Sequence, residues 1–313
     1  MKIIEPKVEE VKDFEGVDNF YKAVARAARI CYASDKTTDD KALVEILIKS
    51  KHFSPFEHAV IFCRNTDEEL KGFKYDIISN TRNNKYSVKM SCAFKPSGTT
   101  VIPCKDIIYF TAINGRTLIE RIIKISDFYE GKIIDLLDSA LEVLKGYEIK
   151  EDKDNHFFKS FIVDTSIGCT REMNRHHDNF YICEQSTRYC NFSKDKFGNE
   201  VAFNKPYWWN DNPPHNYINL SQEEYEQELW KQSMQHAEDM YIKALNNDMP
   251  TDIARGILPL DTHTRAIYTA TIKEWKHFID MRLHGTTGKP HGDIKIIAKK
   301  INDLIFNQNI KTA

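Results

Sequence analysis

Short apolar runs alternate with amphipathic stretches along this chain, and that mixture confines it to a layered helix-and-sheet fold. Residues 2–12 alternate as a first strand, "AVIFC" at 59–63 is a short apolar strand, and "FFKSFIVDTSI" at 157–167 is a longer one. Between them lie helical periods. Residues 17–33 put Phe20, Val24, Ala27 and Ile30–Cys31 on one stripe, and 38–51 open on aspartates as a helix start should. Ile133, Leu136–Leu137, Ala140–Leu141 and Leu144 mark another helix, and Tyr225, Leu229, Met234, Ala237, Tyr241 and Leu245 mark a long one at 221–247. "DIIYFTAINGRTLIERIIK" reads as strand then helix, and "GCTREMNRHH" as a helix. "ARGILPLDTHTRAIYTATIKEWKHFIDMRLHG" reads as helix, break at Pro259, Thr-rich strand and helix, and "DIKIIAKKINDLIFNQ" as a closing helix. A turn at Phe197-Gly198-Asn199 suggests a hairpin, and "SPFE" has the spacing of a capping box, Ser54 to Glu57 with Pro55 at the first helical position. The class expected is α+β, a mixed β-sheet core packed with helices, as one domain over 1–313. The turn-rich segment at about 66–160 reads as an insertion.

Charge and cysteine usage exclude several kinds of partner. The formal net charge is -2, so any anion site must be local, and a nucleic-acid binder is disfavoured. The 7 cysteines are odd in number and form no C-x-x-C pair, which argues against a disulfide framework and a zinc site. No apolar run approaches the length of a membrane span, and the first residues lack the apolar core of a signal peptide. The location expected is cytoplasm, that of a host if the chain is viral. Lysine dominates the basic residues, with 12 Arg among 44 Lys+Arg, so a placed arginine carries information. Six of the 12 fall between 171 and 282: Arg171, Arg175, Arg188, Arg255, Arg265 and Arg282. Arginine is preferred where phosphate or carboxylate must be gripped by a planar fork.

The densest cluster is "NRHHDNFYICEQSTRY", residues 174–189. Arg171 and Arg175 are four apart and share a helix face, as do Glu172 and His176. Such a face is either an exposed, ion-paired helix end or part of a phosphate or nucleobase site. Ser186 and Arg188, two apart, would point to one side of an extended segment and offer a hydroxyl and a guanidinium to one phosphate. A polar strand end explains them equally well. Cys183 sits in an apolar run and reads as a buried, inert thiol. His52 and His58 read as surface histidines. Arg282, at the end of a helix, would also compensate its dipole. No G-x-G-x-x-G, Walker or H-E-x-x-H motif occurs.

Taken in order, "HFSPFEH", R-H-x on a helix, "STRY", "ARGILP" and F-x-x-x-R resemble the flavin-dependent thymidylate synthases, over roughly 17–65 and 157–298. The resemblance implies that family's fold, FAD as redox carrier, and conversion of dUMP to dTMP. Methylenetetrahydrofolate would be the carbon donor and NADPH the reductant, in a homotetramer whose sites are shared between subunits. It places His52, Ser54 and Glu57 at the flavin, with Arg175, His176 and His177 between flavin and nucleotide. Glu172, Arg175, Glu184, Gln185, Ser186, Arg188 and Arg255 would hold dUMP, and Glu184 would also meet the cofactor. Arg282 would face and polarise the uracil ring, with Ser186 as phosphate ligand or positioning hydroxyl; these two are the catalytic candidates. The family's R-H-R reads R-H-H here, and its N-x-R reads Thr271-Ile272-Lys273. A downstream Asn is His277, and the usual A-Q-x-E-I is "PHGDI". Thr271, Lys273 and His277 would stand at the flavin in their place. Two other readings are a relative that adds a different one-carbon group, such as hydroxymethyl, and a nucleotide-binding homologue that has lost catalysis.

Overall fold

The computed structural model describes residues 1–34, 37–65, 88–91, 109–126, 132–146, 148, 158–176, 180–213 and 220–306. Among them are nine strands: β1 (Lys2–Ile4), β2 (Lys7–Val11), β3 (Val60–Asn65), β4 (Val88–Ser91), β5 (Tyr109–Asn114), β6 (Phe158–Ser166), β7 (Phe180–Glu184), β8 (Ala202–Asn204) and β9 (His263–Thr271). The chain divides into two compact units, one of residues 1–10, 30–34 and 157–313, the other of 11–29 and 35–156.

The first unit is built on a four-stranded sheet in the order β2-β6-β9-β7. β9 runs antiparallel to both neighbours, with Asp164 opposite Arg265 and Glu184 opposite Ala266. One face of the sheet is buried by Phe161, Val163, Phe180, Ala266, Tyr268 and Ala270 against Trp275, Phe278 and Ile279 of the helix Ile272–Ile279 and against Ile294, Ile297 and Ile301 of the helix Gly292–Phe306. Trp275 finds a partner for its indole N–H in the Lys159 carbonyl at 3.0 Å, which lets so large a ring be buried at no polar cost. A second cluster joins Phe192, Val201 and Phe203 to Trp230, Met234 and Tyr241 of the helix Gln222–Asn246.

The other unit has an antiparallel sheet in the order β3-β5-β4. Leu118, Ile119 and Ile122 of the helix Gly115–Ser126 are buried in it, as are Leu137, Leu141 and Leu144 of the helix Ile133–Lys145.

The α+β expectation holds, since sheets and helices are mixed throughout. Several local readings are corrected. The first strand is two, β1 and β2, separated at Pro6, a residue with no N–H for a ladder. Gly198 and Asn199 do take left-handed φ of 75° and 55°, yet the turn makes no hairpin, because β8 pairs in parallel with β1. "SPFEH" forms a 3-10 helix without a side-chain cap, so the capping box is absent. His58 is fully buried, and burial pushes its imidazole down to about 3. On the long helix, Tyr225 and Leu229 are 55% and 52% exposed while Gln227 and Trp230 are buried. The expected stripe holds at Met234, Tyr241 and Leu245, and only its first two positions, Tyr225 and Leu229, turn outward.

Candidate functional site

Three clusters in the first unit carry the polar chemistry. The first centres on Arg282. It lies in a π-helical turn, Asp280–His284, that continues the helix Ile272–Ile279 and is closed by Gly285 at φ 72°. Its Nη1 donates to Glu172 Oε2 at 3.2 Å, its Nη2 to the Glu172 carbonyl at 3.3 Å, and its Nε to His176 Nε2 at 3.1 Å. His176 Nε2 therefore presents its lone pair to the guanidinium. The spacing explains the geometry: Glu172 ends the helix Ile167–Met173 next to Met173, His176 closes the 3-10 turn after it, and four residues bring both to one side. Phe278 and Phe180 pack on the His176 ring at 5.2 and 6.1 Å, and the His277 ring stands 5.9 Å away. Only 15% of the Arg282 side chain is exposed, so the fork is held rather than solvated.

The second cluster surrounds Glu184, the last residue of β7. Thr170 Oγ1 lies 2.8 Å from its Oε1 and Asn174 Nδ2 lies 3.4 Å from its Oε2. The Asn174 amide oxygen accepts from Tyr268 O–H at 2.9 Å. Burial raises the Glu184 carboxyl above the ordinary carboxylate range, against the opposing pull of Thr170, Thr264, Asn174 and Arg171.

The third cluster is the turn after β7. Gln185 N–H donates to the Arg265 carbonyl at 2.8 Å and Ser186 N–H to the Cys31 carbonyl at 2.9 Å. Ser186 Oγ accepts from the Arg188 N–H at 3.3 Å, and Cys190 N–H closes on the Ser186 carbonyl at 2.9 Å. The segment is a turn and not extended, which corrects the two-apart reading of Ser186 and Arg188. Arg188 instead lies over the exposed Tyr189 ring at 5.4 Å. Arg255 comes to the same turn from the 3-10 helix Arg255–Ile257, with Nη1 3.5 Å from Thr187 Oγ1. A hydroxyl and two exposed guanidinium groups thus gather at one turn, the inventory a phosphate dianion needs.

The other expected residues are spread more widely. Arg171 and Arg175 are exposed on the Glu172 helix and its 3-10 extension, while His177 lies outside the described residues. Thr271 caps the helix Ile272–Ile279, its hydroxyl accepting from Glu274 N–H at 3.2 Å, and Lys273 and His277 are exposed on that helix. His52, Ser54 and Glu57 belong to the other unit. There His52 and Ser54 are exposed, and Glu57 accepts from Arg116 Nη1 at 2.5 Å. Arg265 is taken by a structural task, since its Nε and Nη2 both donate to the buried Asp164 at 2.8 Å. Cys183 is buried, as its apolar run implied. Sequence reasoning missed Thr170, Asn174 and Tyr268. The four-residue step from Thr170 to Asn174, parallel to that from Glu172 to His176, was the signal that marks the first two. Among the described residues no group of three His, Cys, Asp or Glu is placed to hold a metal ion, and no helix is long and apolar enough to cross a membrane.

Residues 155–308 match the family described as Thymidylate synthase complementing protein. A probable flavin-dependent thymidylate synthase of Paramecium bursaria Chlorella virus 1 is 28% identical over 148 residues, 46% of this chain and 65% of that one. The flavin-dependent thymidylate synthase of Pyrococcus furiosus is 28% identical over 147 residues, 47% of this chain and 54% of its own length. The chain thus spans less than two thirds of the curated relatives it matches. The crystal structure of a UMP/dUMP methylase, PolB from Streptomyces cacaoi with 5-Br UMP, aligns at 16% identity and a TM-score of 0.43, covering 97% of this chain and 91% of that one. The matched stretch includes all three clusters. Across residues 155–308, then, this chain is similar to the thymidylate synthase complementing protein family.

Proposed function

We propose that the chain is an FAD-dependent thymidylate synthase that reductively methylates dUMP to dTMP, with methylenetetrahydrofolate as carbon donor and NADPH as reductant. The observation that carries this reading is the fork of Arg282, held by Glu172 and His176 in the same unit as the arginine-bearing turn at 186–189. Uracil must gain electron density at C5 before it can accept a one-carbon unit. Arg282 would face the ring and stabilise the charge as it develops there. Glu172 and His176 keep its guanidinium from reorganising during the step. Ser186, Arg188 and Arg255 would grip the phosphate, with Gln185 and Glu184 positioning the sugar and base above them. Arg175 would meet the nucleotide from the helix side.

The residues present fit a flavin nucleotide. Arg175, Lys273 and the His176 and His277 rings supply cationic and planar groups in the first unit, and His177 extends that set. Thr271, with its hydroxyl already capping a helix, would contribute through its position at the helix N-terminus. His52, Ser54 and Glu57 are assigned to the cofactor as well, in a homotetramer whose sites draw on several subunits. When bound, the flavin supplies the hydride, so a protein thiolate is not needed. The reading keeps one domain over 1–313 with its 66–160 insertion, a cytoplasmic setting, and neither nucleic acid nor membrane as partner.

The test is direct. Purified protein should be yellow with flavin absorbance, and with dUMP, methylenetetrahydrofolate and NADPH it should release dTMP identified by mass. A hydroxymethylated product would redirect the reading to the other one-carbon chemistry. Colourless protein that makes no dTMP when FAD is added would refute it.

A further inference from the structure

Glu184 stands out because its hydrogen-bond partners differ in what they allow. The Thr170 hydroxyl has one proton and two acceptors in reach, Glu184 Oε1 at 2.8 Å and the Ile167 carbonyl at 3.0 Å. When Glu184 is ionised, Thr170 donates to it. When Glu184 is protonated, its O–H can donate to Thr170, which turns its own proton to Ile167. Thr170 therefore serves both charge states. Asn174 does not. Its amide oxygen accepts from the Tyr268 O–H at 2.9 Å, and this fixes which way the amide lies. The NH2 is left facing Glu184 Oε2 at 3.4 Å, and an NH2 can only donate. It supports the carboxylate and offers nothing to the acid. Tyr268 is fully buried in β9, so its phenol has few alternatives.

We propose that Asn174 and Tyr268 are positioning residues for Glu184: Tyr268 locks the Asn174 amide with its NH2 toward the carboxyl, and the pair sets the pH at which Glu184 changes charge. This rests on the reading of Glu184 as part of the nucleotide and flavin site. The groups that face Glu184 are few. Thr170, Arg171 and Asn174 come from the helix Ile167–Met173 and its end, Thr264 and Tyr268 from β9, and Cys31 from the helix Phe20–Tyr32. Arg171 and Thr264 also favour the charged form but neither depends on Tyr268. Burial opposes them all. A buried carboxyl whose charged form leans on a few donors responds to the loss of any one of them, which suits a site where charge moves on and off a uracil ring.

Tyr268→Phe removes the one O–H that orients the amide and keeps the shape of the ring. Asn174→Ala removes the amide itself and serves as the second variant. The readout is the protonated-carboxyl stretch of the substrate-free protein, followed by infrared difference spectroscopy across a pH titration, with Glu184→Gln identifying the band. Loss of a donor to a charged group should move the midpoint up by about half a pH unit or more in both variants. The acid limb of dTMP formation against pH should move with it. A purely structural role would lower the melting temperature and leave the midpoint in place. An unchanged midpoint in folded Tyr268→Phe protein overturns the proposal. A shifted midpoint in protein that forms no dTMP at any pH supports the positioning role and sinks the synthase reading, so the two failures are distinct.

Discussion

Asp164→Asn should destabilise the first unit by an amount the structure sets. Asp164 is 6% exposed on β6, where it accepts two hydrogen bonds of 2.8 Å from Arg265 directly opposite on β9, with His263 Nε2 a further 3.5 Å away. Burial alone would raise this carboxyl. The hydrogen bonds from His263 and Arg265 and the charge of Arg265 override it and hold the carboxyl at about 2, against an ordinary 3.8. The difference corresponds to roughly 2 kcal/mol, and because Arg265 is about half exposed and screened, about 1–2 kcal/mol is expected at pH 7. The sign follows from linkage. The folded value is depressed, so the stabilisation is complete above the unfolded value and is lost as the pH falls toward about 2. By pH 3 about half should be gone. Urea unfolding of wild type and Asp164→Asn at several pH values between 7 and 3 reads this directly, the two curves converging as acid is added. A gap that is absent at pH 7, or that stays constant down to pH 3, would refute the argument that an ionised, arginine-held carboxylate stabilises the β6–β9 pair.

Arg282→Lys keeps a charge and loses the planar fork, so dTMP turnover should fall ~10²-fold or more while the melting temperature barely moves; steady-state kinetics with an unchanged turnover would remove Arg282 from the chemistry. Ser186→Ala should slow dTMP formation yet leave NADPH oxidation measurable, and complete loss of that oxidation would count against a nucleotide-positioning role. Gly115→Ala would set a Cβ 2.6 Å from the Phe56 carbonyl and 2.9 Å from the Phe20 ring, neither free to swing away, so a loss of about 1–3 kcal/mol is expected by denaturant unfolding. Ser221→Ala breaks the reciprocal capping box with Glu224 that starts the helix Gln222–Asn246, and thermal unfolding should report a loss of about 1 kcal/mol.

The sequence by itself determined where most helices and strands form and where charge collects. Helical period and strand composition are local properties, and they located the helices Phe20–Tyr32 and Ile133–Lys145 and the strand-to-helix passage at 158–173 without any partner in view. They also marked the arginines and the four-residue step from Glu172 to His176. Tertiary structure decided the rest, because burial and pairing depend on what lies opposite. Tyr225 and Leu229 continue the period of Met234 and Tyr241, and only the position of Phe203, Phe192 and the other apolar partners leaves the first two exposed and brings Trp230 inward beside Met234 and Tyr241. His58 is polar by type and buried by placement. Arg265 and Arg282 look alike in the chain. The β6–β9 register gives the first to Asp164, while a π-helical turn gives the second to Glu172 and His176. Asn174 and Tyr268 are 94 residues apart, and no local rule joins them; a hydrogen bond across the core does.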